Sequence, residues 1–114
     1  MIRRLAVPAV ALPAAVALLV TAAAAGEPAR ERRAELINLV RQDCGSCHGL
    51  TMKGGLGPPL VPAALAGKDP ESLRFVVLNG RRGTPMPPWR DFLSESEAAW
   101  VIAMLRMGLP DEQR

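Results

Sequence analysis

Residues 44–48 read Cys44-Gly45-Ser46-Cys47-His48, and this pentapeptide contains both cysteines and the single histidine of the 114-residue chain. A dithiol redox motif of the thioredoxin type would need a βαβ context, which the sequence does not show. A zinc site would need four ligands, whereas the chain offers two cysteines and one histidine. A structural disulfide would leave the adjacent histidine unexplained.

The spacing C-x-x-C-H is instead typical of covalent haem attachment. Two thiols three positions apart at the end of a helix can each form a thioether to one vinyl group of a haem, and we assign this role to Cys44 and Cys47. His48 then lies beneath the iron and coordinates it. Because covalent attachment holds a cofactor that a small domain cannot enclose by burial alone, we predict one haem c per chain.

The second axial ligand must come from another residue type, because there is no second histidine. Met86 lies in the loop Gly83-Thr84-Pro85-Met86-Pro87-Pro88-Trp89, where prolines on both sides keep the backbone extended and present the thioether. Histidine–methionine ligation raises the potential relative to harder donors and fills both axial sites. We predict Met86 as the ligand; the alternative is a packing residue of the loop.

The other methionines are less suited to this role. Met1 is removed with the predicted signal segment, and Met52 is only four residues from His48, too close to reach the opposite haem face. Met104 and Met107 lie in a predicted helix, where we expect them to fill the core.

Apolar residues at helical spacing predict a first helix over residues 30–43, with Ala34, Ile37, Val40 and then Cys44 on its inner face. Residues 45–67 and 81–93 are rich in glycine or proline and predict irregular loops.

Two further helices have recognisable starts. Asp69-Pro70-Glu71 predicts a helix that runs to about Leu78 and stops at Asn79-Gly80. Ser94-Glu95-Ser96-Glu97 is a capping box that predicts a third helix, which Gly108 and Pro110 end. No segment alternates like a strand. The fold class is therefore all-α, with three helices and long loops that a cofactor must organise.

The first 25 residues predict a secretory signal peptide, leaving residues 26–114 as the only domain. Arg3 and Arg4 form a positive start, an apolar stretch follows, and Ala23-Ala24-Ala25 is a cleavage site before Gly26. The alternative is an uncleaved membrane anchor, although Pro8 and Pro13 would disturb a spanning helix. The prediction is export to the periplasm.

The charge distribution indicates a protein-docking face. Without the two arginines of the signal segment, 12 Lys and Arg face 11 Asp and Glu, a net charge of +1. Residues 45–93 nevertheless carry a local +3, and the remainder carries −2. The charge does not suggest nucleic-acid binding, because the excess is small and there is no run of basic residues. The basic residues that we expect to lie around the haem edge are Lys53, Lys68, Arg81, Arg82 and Arg90.

Over nearly all of residues 26–114 the chain resembles class I cytochromes c, with an N-terminal helix, C-x-x-C-H, a Gly-Pro-x-Leu segment, a methionine loop and a C-terminal helix. This resemblance implies a small class I cytochrome c fold wrapped around one covalent haem. It implies that the Pro58 carbonyl accepts a hydrogen bond from the His48 ring and that Leu60 packs on the haem. Trp89 is either a wall of the haem pocket or ordinary core; its place directly after the ligand loop favours the pocket.

The sequence departs from this family where the terminal helices usually cross. Leu36 stands where a small glycine is common, and Met104 stands where an aromatic residue is common. We expect the two helices to meet with different packing.

A narrower resemblance links residues 47–58 and 83–89 to the small NirC-type cytochromes, cytochromes c55X, which accompany cytochrome cd1 nitrite reductase in denitrifying bacteria. It implies a periplasmic, monomeric single-electron carrier, not an enzyme, that donates electrons to that reductase. The alternatives are a redox partner in maturation of the reductase's d1 haem and a haem ligand sensor or enzyme in which Met86 dissociates.

Overall fold

The computed structural model describes residues 6, 8–11 and 26–110 of the chain. The predicted signal segment, with its cleavage site, lies almost wholly outside these residues. Within the described part there are helices and no strands, which confirms the all-α class. The elements are α1 (Arg30–Leu39), a π-helical turn (Val40–Cys44), α2 (Gly45–His48), α3 (Pro62–Leu65), α4 (Pro70–Asn79) and α5 (Glu95–Met107). None of the described helices has the length and apolar character that crossing a membrane requires.

The starts of α4 and α5 confirm the two predicted caps. The Asp69 carboxylate accepts hydrogen bonds from the Ser72 backbone N–H and hydroxyl, both at 2.8 Å, and Pro70 occupies the first helical position. At α5 the Ser94 hydroxyl accepts from the Glu97 N–H at 3.1 Å, and the Glu97 carboxylate accepts from the Ser94 N–H at 3.0 Å. These caps satisfy N–H groups that have no partner within the helix.

The first helix does not stop near Asp43 as predicted but continues through α2 to His48. The π turn makes this possible, since its Gly45 N–H bonds the Val40 carbonyl five residues earlier. The extra residue also shifts the inner face. The buried positions are Leu36, Val40 and Gly45. Cys44, one position before Gly45, is not part of this buried face and is only half-buried.

The predicted inner face of this helix is therefore partly wrong. Ala34 is exposed and Ile37 is half-buried, whereas Leu36 is fully buried. Spacing alone cannot distinguish Leu36 from Ile37, because adjacent positions differ by only about 100° around the helix.

The loop between α2 and α4 contains one short helix, α3, which begins at Pro62. Proline is accepted there because the first helical residue needs no N–H acceptor within the helix. The rest of residues 49–61 is irregular, as the glycines and prolines predict.

One apolar cluster holds the helices together. Its members are Leu36 and Val40 from the first helix, Met52 from the loop after α2, Leu65 from α3, Leu78 from α4, and five residues of α5 or its approach. Met104 belongs to this cluster, as predicted, but Met107 is 84% exposed, so its assignment to the core is wrong. Met107 is the last residue of α5, where the core no longer covers the helix.

An ion pair joins the N-terminal ends of α1 and α5. Arg32 Nε donates to Glu97 Oε2 at 2.5 Å, and Arg32 also donates to the Phe92 carbonyl at 3.1 Å. Glu97 thus serves both the α5 cap and α1. The hydrogen bond from Arg32, followed by that from the Ser94 N–H, lowers the pKa of Glu97. The hydrogen bonds that Arg32 donates to Glu97 and, at 2.8 Å, to Glu35 raise the pKa of Arg32.

We expect Glu97→Gln to destabilise the holoprotein at pH 7, because the amide keeps a cap acceptor but loses the charge that pairs with Arg32. A carboxylate with a lowered folded-state pKa contributes stability above its unfolded pKa and loses it as the pH falls through the folded value. The difference between wild type and variant in urea unfolding should therefore be full at neutral pH and shrink below about pH 4. Glu31→Gln, an exposed first-turn residue of α1, is the control; an equal effect there would contradict the prediction.

Candidate haem site

The two thiols lie on consecutive helical elements. Cys44 ends the π turn and Cys47 lies in α2, both are half-buried, and neither forms a disulfide. Helical residues three apart lie on one side of the helix, so both sulfurs can reach the same planar partner. Burial, followed by the nearby Asp43 and Cys47, raises the pKa of Cys44 to about 11, which keeps its thiol neutral.

The His48 ring has a defined tautomer. Its Nδ1 lies 2.7 Å from the Pro58 carbonyl oxygen, the contact that the family resemblance implies. A carbonyl oxygen can only accept, so Nδ1 carries the proton and donates it. The lone pair is then on Nε2, where the imidazole can coordinate a metal, and the carbonyl makes that nitrogen a stronger base.

A glycine-rich loop after α2 packs its backbone directly against the pentapeptide. The Gly54 N–H donates to the His48 carbonyl and the Gly57 N–H donates to the Cys47 carbonyl, both at 2.8 Å. A Cβ on Gly57 would lie 2.8 Å from both Nδ1 and Cε1 of His48, and a Cβ on Gly55 would lie 2.8 Å from the Cys47 carbonyl oxygen. The His48 ring therefore lies directly against the backbone of Gly57, with no side chain between them.

Met52 anchors the middle of this loop. Its φ is +59°, in the left-handed region that side chains rarely adopt, yet its side chain is buried. Its carbonyl accepts a hydrogen bond from the Leu60 N–H at 2.8 Å. The buried Met52 therefore fixes the position of the backbone around Pro58 and Leu60.

The Met86 loop lies against the C-terminal end of α4. The Arg81 N–H donates to the Met86 carbonyl at 3.2 Å, and the Met86 N–H donates to the Thr84 hydroxyl at 3.3 Å. Both backbone groups of Met86 are thus satisfied within the loop, and the residue as a whole is half-buried. Trp89 is tied to α4 by a 3.0 Å bond from its N–H to the Val77 carbonyl.

The residues present fit a covalent haem. They offer two free thiols three positions apart, a histidine with a free Nε2 and a methionine whose backbone is already satisfied. Leu60, Val61, Val77 and Trp89 are apolar and only half-covered by the rest of the described chain. Among the described residues, no group of three or more His, Cys, Asp or Glu side chains could hold a bare metal ion.

The basic residues predicted for docking are not all together. Arg81 and Arg82 follow α4 and are exposed in the methionine loop, and Lys53 is exposed in the glycine-rich loop. Lys68 precedes α4, so about 15 Å of helix separates it from Arg81. Arg90 is held by Asn79, with a 3.2 Å hydrogen bond, and by Glu95 at 3.6 Å.

Three residues were not predicted from the sequence. Gly57 contacts the histidine ring, Met52 is buried in the middle of the glycine-rich loop, and Asn79 accepts a hydrogen bond from Arg90. The concentration of glycines directly after the histidine is a signal for the first, because close backbone approach requires glycine. No local pattern marks the other two.

Comparison with known proteins places these features in a family. Residues 31–105 match the family model described as cytochrome c oxidase, cbb3-type, subunit III. The chain is 56% identical over 88 residues to cytochrome c55X of Paracoccus denitrificans, covering 77% of this chain and 85% of that protein. The solved structure of the c-type cytochrome NirC superposes with a TM-score of 0.69 at 54% identity, covering 70% of this chain and 94% of that one.

A more distant relative is a much larger protein. Dihydro-heme d1 dehydrogenase of Pseudomonas aeruginosa is 38% identical over 74 residues, which is 65% of this chain but 15% of that protein. This chain therefore corresponds to one small part of it.

We expect Gly57→Ala to destabilise the holoprotein by about 1–3 kcal/mol, because the new methyl group must displace either the His48 ring or the loop. Gly67→Ala is the matched control, since a Cβ there meets no atom within 4 Å and should change stability by less than about 1 kcal/mol. Urea unfolding followed by far-UV circular dichroism measures both. Equal stability of the two variants would show that the ring does not rest on Gly57.

Proposed function

Since this chain belongs to the c-type cytochromes, within the cytochrome c55X group of the NirC type, we propose that it is a single-electron carrier that donates to cytochrome cd1 nitrite reductase. One covalent haem c supplies the one-electron chemistry. The observation that carries the proposal is the His48 ring, held by Pro58 in the tautomer that offers Nε2 to the iron beside two free thiols.

In this proposal Cys44 and Cys47 form the thioethers, and His48 and Met86 are the axial ligands. Leu60 and Trp89 cover the haem from the glycine-rich and methionine loops. With both axial positions filled in this way, the haem would have no open position for a substrate, and the proposed role is electron transfer.

The docking face in this proposal centres on Arg81 and Arg82. Both are exposed and adjoin the methionine loop, and neither takes part in an ion pair within the described residues. An electron carrier must dock and leave quickly, which favours an interface below about 1,200 Å² steered by charge. An acidic face on the reductase complements these arginines.

A second candidate function is redox service to maturation of the d1 haem. The similarity to dihydro-heme d1 dehydrogenase favours it, because this chain matches one part of a protein with that activity. A separate small cytochrome could then exchange electrons with such an enzyme instead of with the reductase.

Both functions require export, and we propose that residues 1–25 direct it and are cleaved, leaving a periplasmic domain from Gly26. Covalent haem c then joins the chain outside the cytoplasm.

Met86→Ala should leave haem attachment intact and open the sixth position, so the weak far-red band of oxidised His/Met haem should vanish and the potential should fall. Met104→Ala is the control: Met104 is buried in the core, so its loss should cost about 2–5 kcal/mol of stability and leave the band in place. Absorption spectra and redox titration of both holoproteins decide the ligand. A band that survives Met86→Ala but not Met104→Ala would move the ligand to α5.

Electron transfer from the reduced protein to oxidised nitrite reductase should have a second-order rate that falls as salt rises past about 0.1 M, where charges are screened within about 10 Å. Arg81→Glu should slow this rate without a large change in potential. Lys68→Glu makes the same charge change at the far end of α4 and should slow it less. Stopped-flow mixing measures all three proteins.

Two results would contradict the carrier proposal. Equal slowing by both variants would place the docking face elsewhere. No oxidation at any salt, together with a reductase that lacks d1 haem in a deletion strain, would support the maturation role instead.

A further inference from the structure

The segment from Met86 to Arg90 has few backbone donors of its own. Pro87 and Pro88 have no N–H, and neither does Pro85 directly before the segment. The Met86 N–H is used within the loop, and the Trp89 N–H reaches the Val77 carbonyl of α4. Such a segment must be held by contacts from outside it.

The end of α4 supplies part of this support through its backbone. Gly80 has a φ of +71°, and a Cβ there would lie 2.8 Å from the Met86 carbonyl oxygen and from backbone atoms of Pro87 and Pro88. The loop and the helix end are therefore in direct backbone contact, which only glycine allows at this position.

Side chains complete the attachment. Arg90 donates to Asn79 Oδ1 at 3.2 Å, while Asn79 Nδ2 donates to the Phe75 carbonyl at 2.8 Å. The Asn79 amide thus joins the last turn of α4 to the residue that follows Trp89. The Arg90 guanidinium also lies 3.6 Å from the Glu95 carboxylate in the first turn of α5.

Arg90 therefore differs from the neighbouring arginines. Arg81 and Arg82 have no ion-pair partner within the described residues, whereas Arg90 joins α4, the methionine loop and α5. A guanidinium that is already paired with a carboxylate contributes less to long-range steering of a partner, and it restrains the backbone that carries it.

We propose that Asn79 and Arg90 are positioning residues that hold the Met86 loop against α4 and so oppose displacement of Met86 from the iron. This inference rests on the proposed axial role of Met86. Loss of either side chain raises the population of loop conformations in which Met86 has left the iron. An added ligand such as imidazole then competes more effectively for the sixth position.

The test is a titration of the oxidised holoprotein with imidazole, followed by loss of the far-red band. Asn79→Ala and Arg90→Ala should each bind imidazole about two- to fivefold more tightly than wild type, the range of a partly exposed polar contact. The double variant should show less than the product of the two changes, because both remove the same bond. Arg30→Ala, which removes an exposed arginine at the start of α1, should bind imidazole as wild type does.

A purely structural role would lower the thermal midpoint of the variants and leave their imidazole affinity unchanged, and that result would overturn the inference. If Arg90→Ala does not retain haem, Arg90→Gln removes the charge at similar length and gives the same comparison. A band that survives in Met86→Ala would refute the proposed ligand. A band that depends on Met86, combined with wild-type affinity in the Asn79 and Arg90 variants, would refute this inference alone.

Discussion

The hydrogen bond between His48 Nδ1 and the Pro58 carbonyl is the contact on which the site depends. It selects the tautomer that leaves the lone pair of Nε2 free to coordinate a metal, and it requires a loop that returns to the helix end within ten residues. The loop does so by packing backbone on backbone: Gly54 and Gly57 bond the carbonyls of His48 and Cys47, and Gly57 leaves room for the ring. A larger residue at that contact would put a methyl group where the ring lies.

The π turn has a comparable role on the other side of the pentapeptide. Without its extra residue, the stripe of Leu36 and Val40 would continue at Cys44 and bury that thiol in the core. With it, Gly45 takes the buried position and Cys44 stays half-exposed beside Cys47. The helix therefore packs against the core along most of its length and keeps two accessible thiols at its end. In a regular helix the first thiol would lie on the buried face.

The methionine loop is held in a different way. Its prolines keep the backbone extended but remove donors, so its position depends on α4 through Gly80, Val77 and Asn79 and on α5 through Arg90 and Glu95. The two loops of the site thus have separate supports, one built from backbone contacts near the histidine and one from backbone and side-chain contacts with α4 and α5. The core is small and leaves Phe75 and Phe92 exposed, and a domain of this size gains stability from a covalent cofactor.

The all-α class, the C-x-x-C-H pentapeptide with its covalent haem, and the caps at Asp69 and Ser94 could all be predicted from the sequence, because each depends on residues a few positions apart. Its helical periodicity could not choose between Leu36 and Ile37 or foresee the π turn, since spacing does not say which side of a helix the rest of the chain covers. The exposure of Met107, the contact of Gly57 with the histidine ring and the attachment of Arg90 to Asn79 and Glu95 became visible in the folded chain alone. Gly57 and His48 are nine positions apart and Asn79 and Arg90 are eleven apart, Arg90 meets Glu95 across the start of another helix, and Met107 lies at the edge of the core. Local spacing does not encode them, because it says nothing about which distant surfaces meet.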